Sequence, residues 1–231
     1  ANTLRIIASQ GREGFYEGQI AKKIASEMKK NNGLITEDDL KKYNPIWRKP
    51  LISNYRDTQI ITMGPPSSGG LHVIQMLNIV ENYDLKNIGH NSTNYINLLA
   101  EVMKYAYSDR SKYLGDPDFY DVPVEKIISK EYAAEINNNI DIGQSTPVDD
   151  IYPGKFLDRE SHETTHFSVV DEEGNVVSMT YTLNSTFGSK VVIKGTGILM
   201  NNEMDDFSAA PGVPNQFNLL GADANAIAPY K

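Results

Sequence analysis

The chain contains no cysteine, which removes disulfides, thiolate metal sites and a cysteine nucleophile together. That absence is compatible with an oxidising compartment without requiring one. Only four histidines are present, and His72, His90, His162 and His166 show no paired ligand spacing, so no metal site is expected. Basic residues are outnumbered and never clustered, with 22 Lys and Arg against 30 Asp and Glu and a formal net charge of −8. Without a block of cations to displace counterions, neither a nucleic-acid groove nor an anionic membrane surface is an expected partner. Apolar runs fall far short of the roughly 18 residues that cross a bilayer, so no membrane span is expected. The opening residues Ala1-Asn2-Thr3-Leu4-Arg5-Ile6-Ile7-Ala8 lack an initiator methionine and the basic, apolar and small-residue order of a secretion signal. The expectation is a numbering that begins inside a longer gene product or after processing.

What is present is ordinary globular material, 40% hydrophobic and 23% charged over 231 residues, enough for one large layered domain or two smaller ones. Ile20, Ala21, Ile24, Ala25 and Met28 fall at helical spacing, and Asn31-Asn32-Gly33 stops that helix. Thr36 followed by Asp39 predicts a capping box at the start of a short helix. Ile60, Ile61 and Met63 read as a buried strand leading through Pro65-Pro66-Ser67-Ser68-Gly69-Gly70 into a helix over residues 71–82. That glycine-rich loop lacks the lysine of a phosphate-binding loop and reads as tight-turn chemistry. A longer helix is predicted over 93–114, with Leu98, Leu99, Val102, Met103, Tyr105 and Ala106 as its buried stripe. Another is predicted over 124–140. Residues 143–154 read as a loop, and 143–163 as the internal boundary. Strands follow at 166–170, 176–183 and 197–201. Helices first and strands second predict an α+β class.

The stretch ESHETTHFSVVDEEGNVVSMTYTLN carries the candidate chemistry. If Glu172, Glu173 and Gly174 form a three-residue hairpin loop, Asp171 lies opposite Asn175. Counting along the antiparallel ladder then sets Thr164 opposite Thr182, with Cβ atoms about 5 Å apart. Alternation puts Thr180, Asn184 and His166 on the same face. The hairpin alone leaves two readings open. Threonine pairs are routine on a wetted sheet face; equally, Thr164 becomes a nucleophile if its own α-amine, freed by cutting the Glu163-Thr164 bond, acts as its base.

The segments ETTHFSVVDEEGNVVSMTYTLNSTFGS and GTGILMNNEMDDFSAAPGVPNQFNLLGADANAI closely resemble the start of the small subunit of γ-glutamyltransferases, which are N-terminal nucleophile hydrolases. GLITEDDLKKY, PPSSGGLHVIQMLNIVENYDL and EVMKYAYSDRSKYLGDPDF resemble the end of that family's large subunit, so the likeness runs over essentially the whole chain. It implies a partial four-layer αββα sandwich. Residues 1–163 would be the mainly helical large-subunit part and 164–231 the mainly stranded small-subunit part, together one incomplete catalytic domain. Carried over residue by residue, it implies autocatalytic cleavage between Glu163 and Thr164, after which Thr164 is the nucleophile and Thr182 hydrogen-bonds its hydroxyl. Asn184, Glu203 and Asp206 would hold the α-amino group and orient the glutamyl moiety, carboxylates being apt partners for an ammonium.

The implied activity is transfer of a γ-glutamyl group from glutathione and other γ-glutamyl compounds to water or to amino-acid or peptide acceptors, through an ester on Thr164. No metal or organic cofactor is implied. Large and small subunits would stay paired after cleavage, in the periplasm or outside the cell. The lid segment, residues 211–222, carries Phe217 where the family usually has an aromatic hydroxyl, and phenylalanine cannot donate the hydrogen bond that fastens a lid to Asn184. The family's paired serines, paired glycines and carboxylate-gripping arginine fall outside residues 1–231, so this chain by itself is expected to be inactive. Two rivals follow: an acylase or peptidase with another acyl specificity, and a non-catalytic fragment acting as an interaction module.

Overall fold

The computed structural model describes residues 1–147, 150–151, 164–229 and 231. In chain order the elements are α1 (Asn2–Tyr16), α2 (Gly18–Lys30), α3 (Glu37–Lys42), β1 (Leu51–Tyr55), β2 (Thr58–Thr62), α4 (Ser68–Val80), α5 (Leu85–Ile88) and α6 (Thr93–Tyr113). There follow α7 (Val124–Ile127), α8 (Lys130–Asn137), β3 (Thr164–Val170), β4 (Val176–Thr182), β5 (Val192–Ile193) and β6 (Ile198–Leu199), then 3₁₀ turns at Glu203–Asp206 and Asp223–Asn225. The class is α+β. Among the described residues the strands form three antiparallel pairs, β1 with β2, β3 with β4 and β5 with β6. Contacts divide the chain into two compact units, Ala1–Trp47 with Ser161–Met204, and Arg48–Glu160 with Asp205–Lys231. Each draws residues from both sides of the Glu163-Thr164 bond.

The first unit is built on α2. Ile20, Ala21 and Ile24 are its buried face, and Ile20 and Ile24 meet Ile193 of β5 in a core that Ile6, Phe15 and Met28 help to close. Lys29 and Lys30 in the last turn complement the helix dipole, and Asn32 takes φ +57° just beyond it. The predicted capping box is present: the Asp39 N–H donates to Thr36 Oγ1 at 3.2 Å, and the Thr36 N–H donates to Asp39 Oδ2 at 2.8 Å. Sequence reading gave no helix before residue 18, yet α1 spans Asn2–Tyr16 with a kink at Gly11, where φ is +56°. Thr3 donates to the Thr196 carbonyl at 2.7 Å, tying α1 to the turn between β5 and β6.

In the second unit α4 packs against α6 and α8, and Ile79, Val80, Leu98, Val102, Ala133 and Ile136 form the core. Gly70 is required by close approach: a Cβ there would stand 1.9 Å from the Met63 carbonyl oxygen. The helix starts earlier than expected: Ser68, Gly69 and Gly70 form the first turn of α4 rather than a tight turn before it. Polar side chains are buried alongside. His72 Nδ1 lies 2.8 Å from Gln75 Oε1, Gln75 donates to Asp109, and the Tyr132 hydroxyl donates to both Asp109 oxygens at 3.0 Å.

Three further expectations need correction. Ile61 and, just past the strand, Met63 are exposed, because among the described residues β2 pairs only with β1 and the hairpin wets one face. Met103 is also exposed, on the edge of the stripe that buries Leu98, Val102 and Ala106. The helix expected over 124–140 is broken into α7 and α8, because Ser129 caps a new start and accepts the Tyr132 N–H at 3.1 Å. Most of the boundary loop expected at 143–163 lies outside the described residues.

Candidate active site

The β3–β4 hairpin is set by its turn. Gly174 takes φ +83°, a left-handed value that glycine adopts without strain. The Asp171 N–H donates to the Asn175 carbonyl at 3.1 Å, and the Gly174 N–H donates to the Asp171 carbonyl at 3.2 Å. The Asp171 carboxylate accepts from the Asn175 side-chain amide and backbone N–H, both at 2.7 Å. These bonds hold its pKa below the ordinary aspartate value. With the loop fixed, the register runs from Val170 opposite Val176 to Thr164 opposite Thr182.

That register sorts the hairpin into two faces. One carries Thr164, His166 and Ser168 across from Thr182, Thr180 and Ser178. His166 Nδ1 lies 2.7 Å from Thr180 Oγ1 and its Nε2 lies 3.1 Å from Ser178 Oγ, so His166 bridges the strands two residues from Thr164. The other face is apolar, with Phe167 edge-on to Tyr181 at 6.4 Å between ring centroids. Glu163 lies outside the described residues.

Alternation does not extend to Asn184, and this corrects the expectation that it shares the Thr182 face by period two. β4 ends at Thr182, and Asn184 takes φ +71°, which turns the backbone out of the strand. The turn folds Asn184 back instead. Its N–H donates to Thr182 Oγ1 at 2.9 Å, and its side-chain amide donates to the Asn202 carbonyl at 3.1 Å. Asn202 completes the clasp by accepting the Ser185 N–H at 3.0 Å and donating to Ser185 Oγ at 3.1 Å. Asn184 is thereby buried to 5% exposure. Sequence reasoning missed Asn202. Its signal was the Asn201-Asn202 doublet between a strand and an acidic turn, since an asparagine side chain both donates and accepts. Glu203 follows at once, its N–H donating to Asn201 Oδ1 at 3.1 Å.

Asp206 and Phe217 belong to the second unit. Asp206 is exposed at the end of the 3₁₀ turn, and its carbonyl accepts the Asn225 side-chain amide at 2.6 Å. Residues 211–222 form a self-braced loop. Asn215 Oδ1 accepts the N–H groups of Phe217 and Leu219, both at 3.0 Å, and the Gly212 N–H reaches the Gly221 carbonyl at 3.4 Å. Beneath the loop a cavity of about 30 Å³ is lined by Arg110, Asp206, Ser208 and Asn225 together with loop residues. Burial pulls the Arg110 guanidinium below the usual arginine range, and the charges of Tyr107 and Asp206 oppose that shift. Among the described residues no group of three or more His, Asp or Glu side chains could hold a metal ion, and no helix is long and apolar enough to cross a membrane.

The sequence model of the Gamma-glutamyltranspeptidase family matches residues 1–231. The chain belongs to that family. It is 52% identical, over all of its length and 40% of the relative's, to the glutathione hydrolase proenzyme of Escherichia coli K12. Among solved structures, the gamma-glutamyltranspeptidase of Helicobacter pylori is 48% identical at a TM-score of 0.64, over 70% of this chain and 46% of that one. The cephalosporin acylase of Bacillus halodurans is 29% identical at a TM-score of 0.77, over 96% of this chain and 40% of that one. The chain spans about 40% of the length of the glutathione hydrolase proenzymes it matches.

For a gamma-glutamyltranspeptidase sequence, the geometry groups the candidates within each unit. Thr164, Thr182 and Asn184 are brought together at one end of the hairpin, and the Asn184–Asn202 clasp adjoins Glu203. Asp206 and Phe217 stand on the second unit, on a turn and on the braced loop.

Proposed function

We propose that this chain is part of a γ-glutamyltransferase and glutathione hydrolase that matures by cutting itself before Thr164. The observation that carries the reading is the register: Thr164 opens β3 directly opposite Thr182, onto which Asn184 folds. In maturation, Thr164 Oγ attacks the Glu163 carbonyl carbon, the Glu163-Thr164 C–N bond breaks, and the hydroxyl proton goes to the departing nitrogen. Water then hydrolyses the ester, leaving a carboxylate on Glu163 and a free amine on Thr164. That amine takes the Oγ proton in each later turnover. Oγ attacks the γ-carbonyl of a glutathione-like donor, the donor's amine leaves with the proton, and water or an amino-acid amine resolves the γ-glutamyl ester.

Thr182 donates a hydrogen bond to the Thr164 hydroxyl in this scheme. Asn184, Glu203 and Asp206 hold the donor's α-ammonium, for which charge-assisted bonds to carboxylates are strong. The αββα sandwich is part of the same reading, supported by the likeness to the two solved structures.

The test is a protein of the relatives' full length that carries this chain. The parent should resolve into two pieces on a denaturing gel and release glutamate from a γ-glutamyl anilide. Thr164→Ala should stay whole and inactive, and Thr164→Ser should cut partially. A parent that stays uncut yet hydrolyses the anilide at an ordinary enzymatic rate removes Thr164 from the mechanism. A second reading, cephalosporin acylase, is favoured by the likeness to the Bacillus halodurans enzyme; preference for an acylated cephalosporin over the γ-glutamyl anilide would establish it instead.

A further inference from the structure

We propose that Asp205 is a positioning residue that holds loop 211–222 beside Asp206 and so keeps the donor site assembled; this rests on the functional reading of Asp206 given above. Asp205 and Asp206 are consecutive in the 3₁₀ turn Glu203–Asp206, where successive side chains diverge by about 120° because there are three residues per turn. The two acids therefore leave the turn in different directions. Asp205 turns to the loop, where both of its carboxylate oxygens stand within reach of the Gln216 N–H, at 3.2 and 3.3 Å. Asp206 is left exposed beside the cavity.

The loop's internal bonds, Asn215 Oδ1 to the N–H groups of Phe217 and Leu219 and Gly212 to Gly221, brace it as a unit but do not attach its tip. Its far end is tied down where the Ala222 N–H donates to the Ser111 carbonyl at 3.0 Å. Against the loop lies the cavity of about 30 Å³. Phe217 has no hydroxyl to fasten the loop, and its N–H is engaged within the loop. The acceptor at Asp205 holds the tip at the Gln216 N–H, one residue before Phe217.

The experiment uses the full-length protein with Asp205→Ala and Asp205→Asn, reading chymotryptic cleavage after Phe217 and the kinetics of a γ-glutamyl anilide. Loss of one charge-assisted hydrogen bond predicts, for Asp205→Ala, cleavage and KM both raised by about fivefold to tenfold, with self-cutting intact and kcat changed less than about twofold. Asp205→Asn keeps an acceptor oxygen and should hold both readings within about threefold of the parent. Unchanged loop cleavage and KM in Asp205→Ala overturn the proposal. So does Asp205→Asn matching Asp205→Ala in every reading, because the effect would then be charge beside Asp206 rather than the loop contact. If Asp205→Ala fails to fold, Asp205→Asn decides: retained loop protection supports the anchor and lost protection overturns it. A parent that neither cuts itself nor releases glutamate refutes the functional reading, and chymotrypsin still decides whether Asp205 holds the loop.

Discussion

Thr182→Val removes one oxygen atom and changes little else, so it isolates what the hydroxyl opposite Thr164 contributes. Two consequences can be separated. The Thr182 oxygen accepts the N–H of Asn184, a residue only 5% exposed. With valine that donor is stranded, at a cost of about 1–3 kcal/mol, offset by a few tenths for the better strand propensity of valine. Asn184 has no easy escape, because its left-handed φ and its bond to the Asn202 carbonyl fix its place. The second consequence is kinetic. A neutral hydrogen bond to the Thr164 hydroxyl is worth about 0.5–1.5 kcal/mol net, so its loss should slow self-cutting roughly 2- to 12-fold. Stability is read from urea midpoints in a Thr164→Ala background, where no cutting intervenes, and processing from a time course on denaturing gels. Thr182→Ser restores the oxygen and should recover most of both. Wild-type processing in Thr182→Val, or equal slowing in Thr182→Val and Thr182→Ser, refutes the hydroxyl as the operative group.

Gly188→Ala should be severely destabilising, by more than about 3 kcal/mol: Gly188 sits at φ +52° and its added Cβ would stand 2.2 Å from the Met200 carbonyl oxygen. A denaturant midpoint equal to wild type refutes the close approach. His72, lowered from 6.5 to about 4 by burial and by the Arg110 charge against an opposing bond from Gln75, binds fewer protons folded than unfolded. Its contribution is therefore complete above about pH 6.5 and is lost as pH falls toward 4, at up to about 1.4 kcal/mol per pH unit. Asp109, raised by burial, acts with the opposite sign in parent and variant alike. The midpoint of His72→Gln should fall less between pH 7 and 4.5, and parallel curves would count against the assignment.

Helices with a one-sided apolar stripe and a punctuated end were legible in the sequence. α2 shows why: Ile20, Ala21 and Ile24 repeat at helical spacing and Asn32 ends the helix with a left-handed residue. α1 was missed because Gly11 and Gly14 interrupt its pattern, and its apolar residues Ile6, Ile7 and Phe15 only become a face once the core around Ile24 exists. β1 was also missed, and its partner was read as buried. A run such as Ile60-Ile61 cannot disclose from local pattern how many layers cover it. α7 and α8 read as one helix because Ser129 resembles any tolerated polar residue until its hydroxyl is seen capping Tyr132.

The register at the Thr164 end of the proposed site was legible for a different reason. It depends on turn chemistry, Asp171 and Gly174 closing a three-residue loop, and every residue from that loop to Thr164 follows by counting. Packing contributes little to it within this chain, since both strands are exposed along their whole length. Counting fails where regular structure ends. Asn184 lies two residues past β4, and its place is set by Asn202, eighteen residues later, through bonds that no periodicity encodes. The loop over the cavity is harder still. Gln216 meets Asp205 through a backbone N–H, so the side chain at 216 says nothing about the contact. Local register can thus be read from a turn, while the groups that brace a site through backbone donors stay silent in sequence. Asp205 is the informative case, because beside Asp206 it reads as one more acid on a wetted turn, and only the divergence of neighbouring side chains on a 3₁₀ turn separates the acid that holds the loop from the acid proposed to meet the substrate.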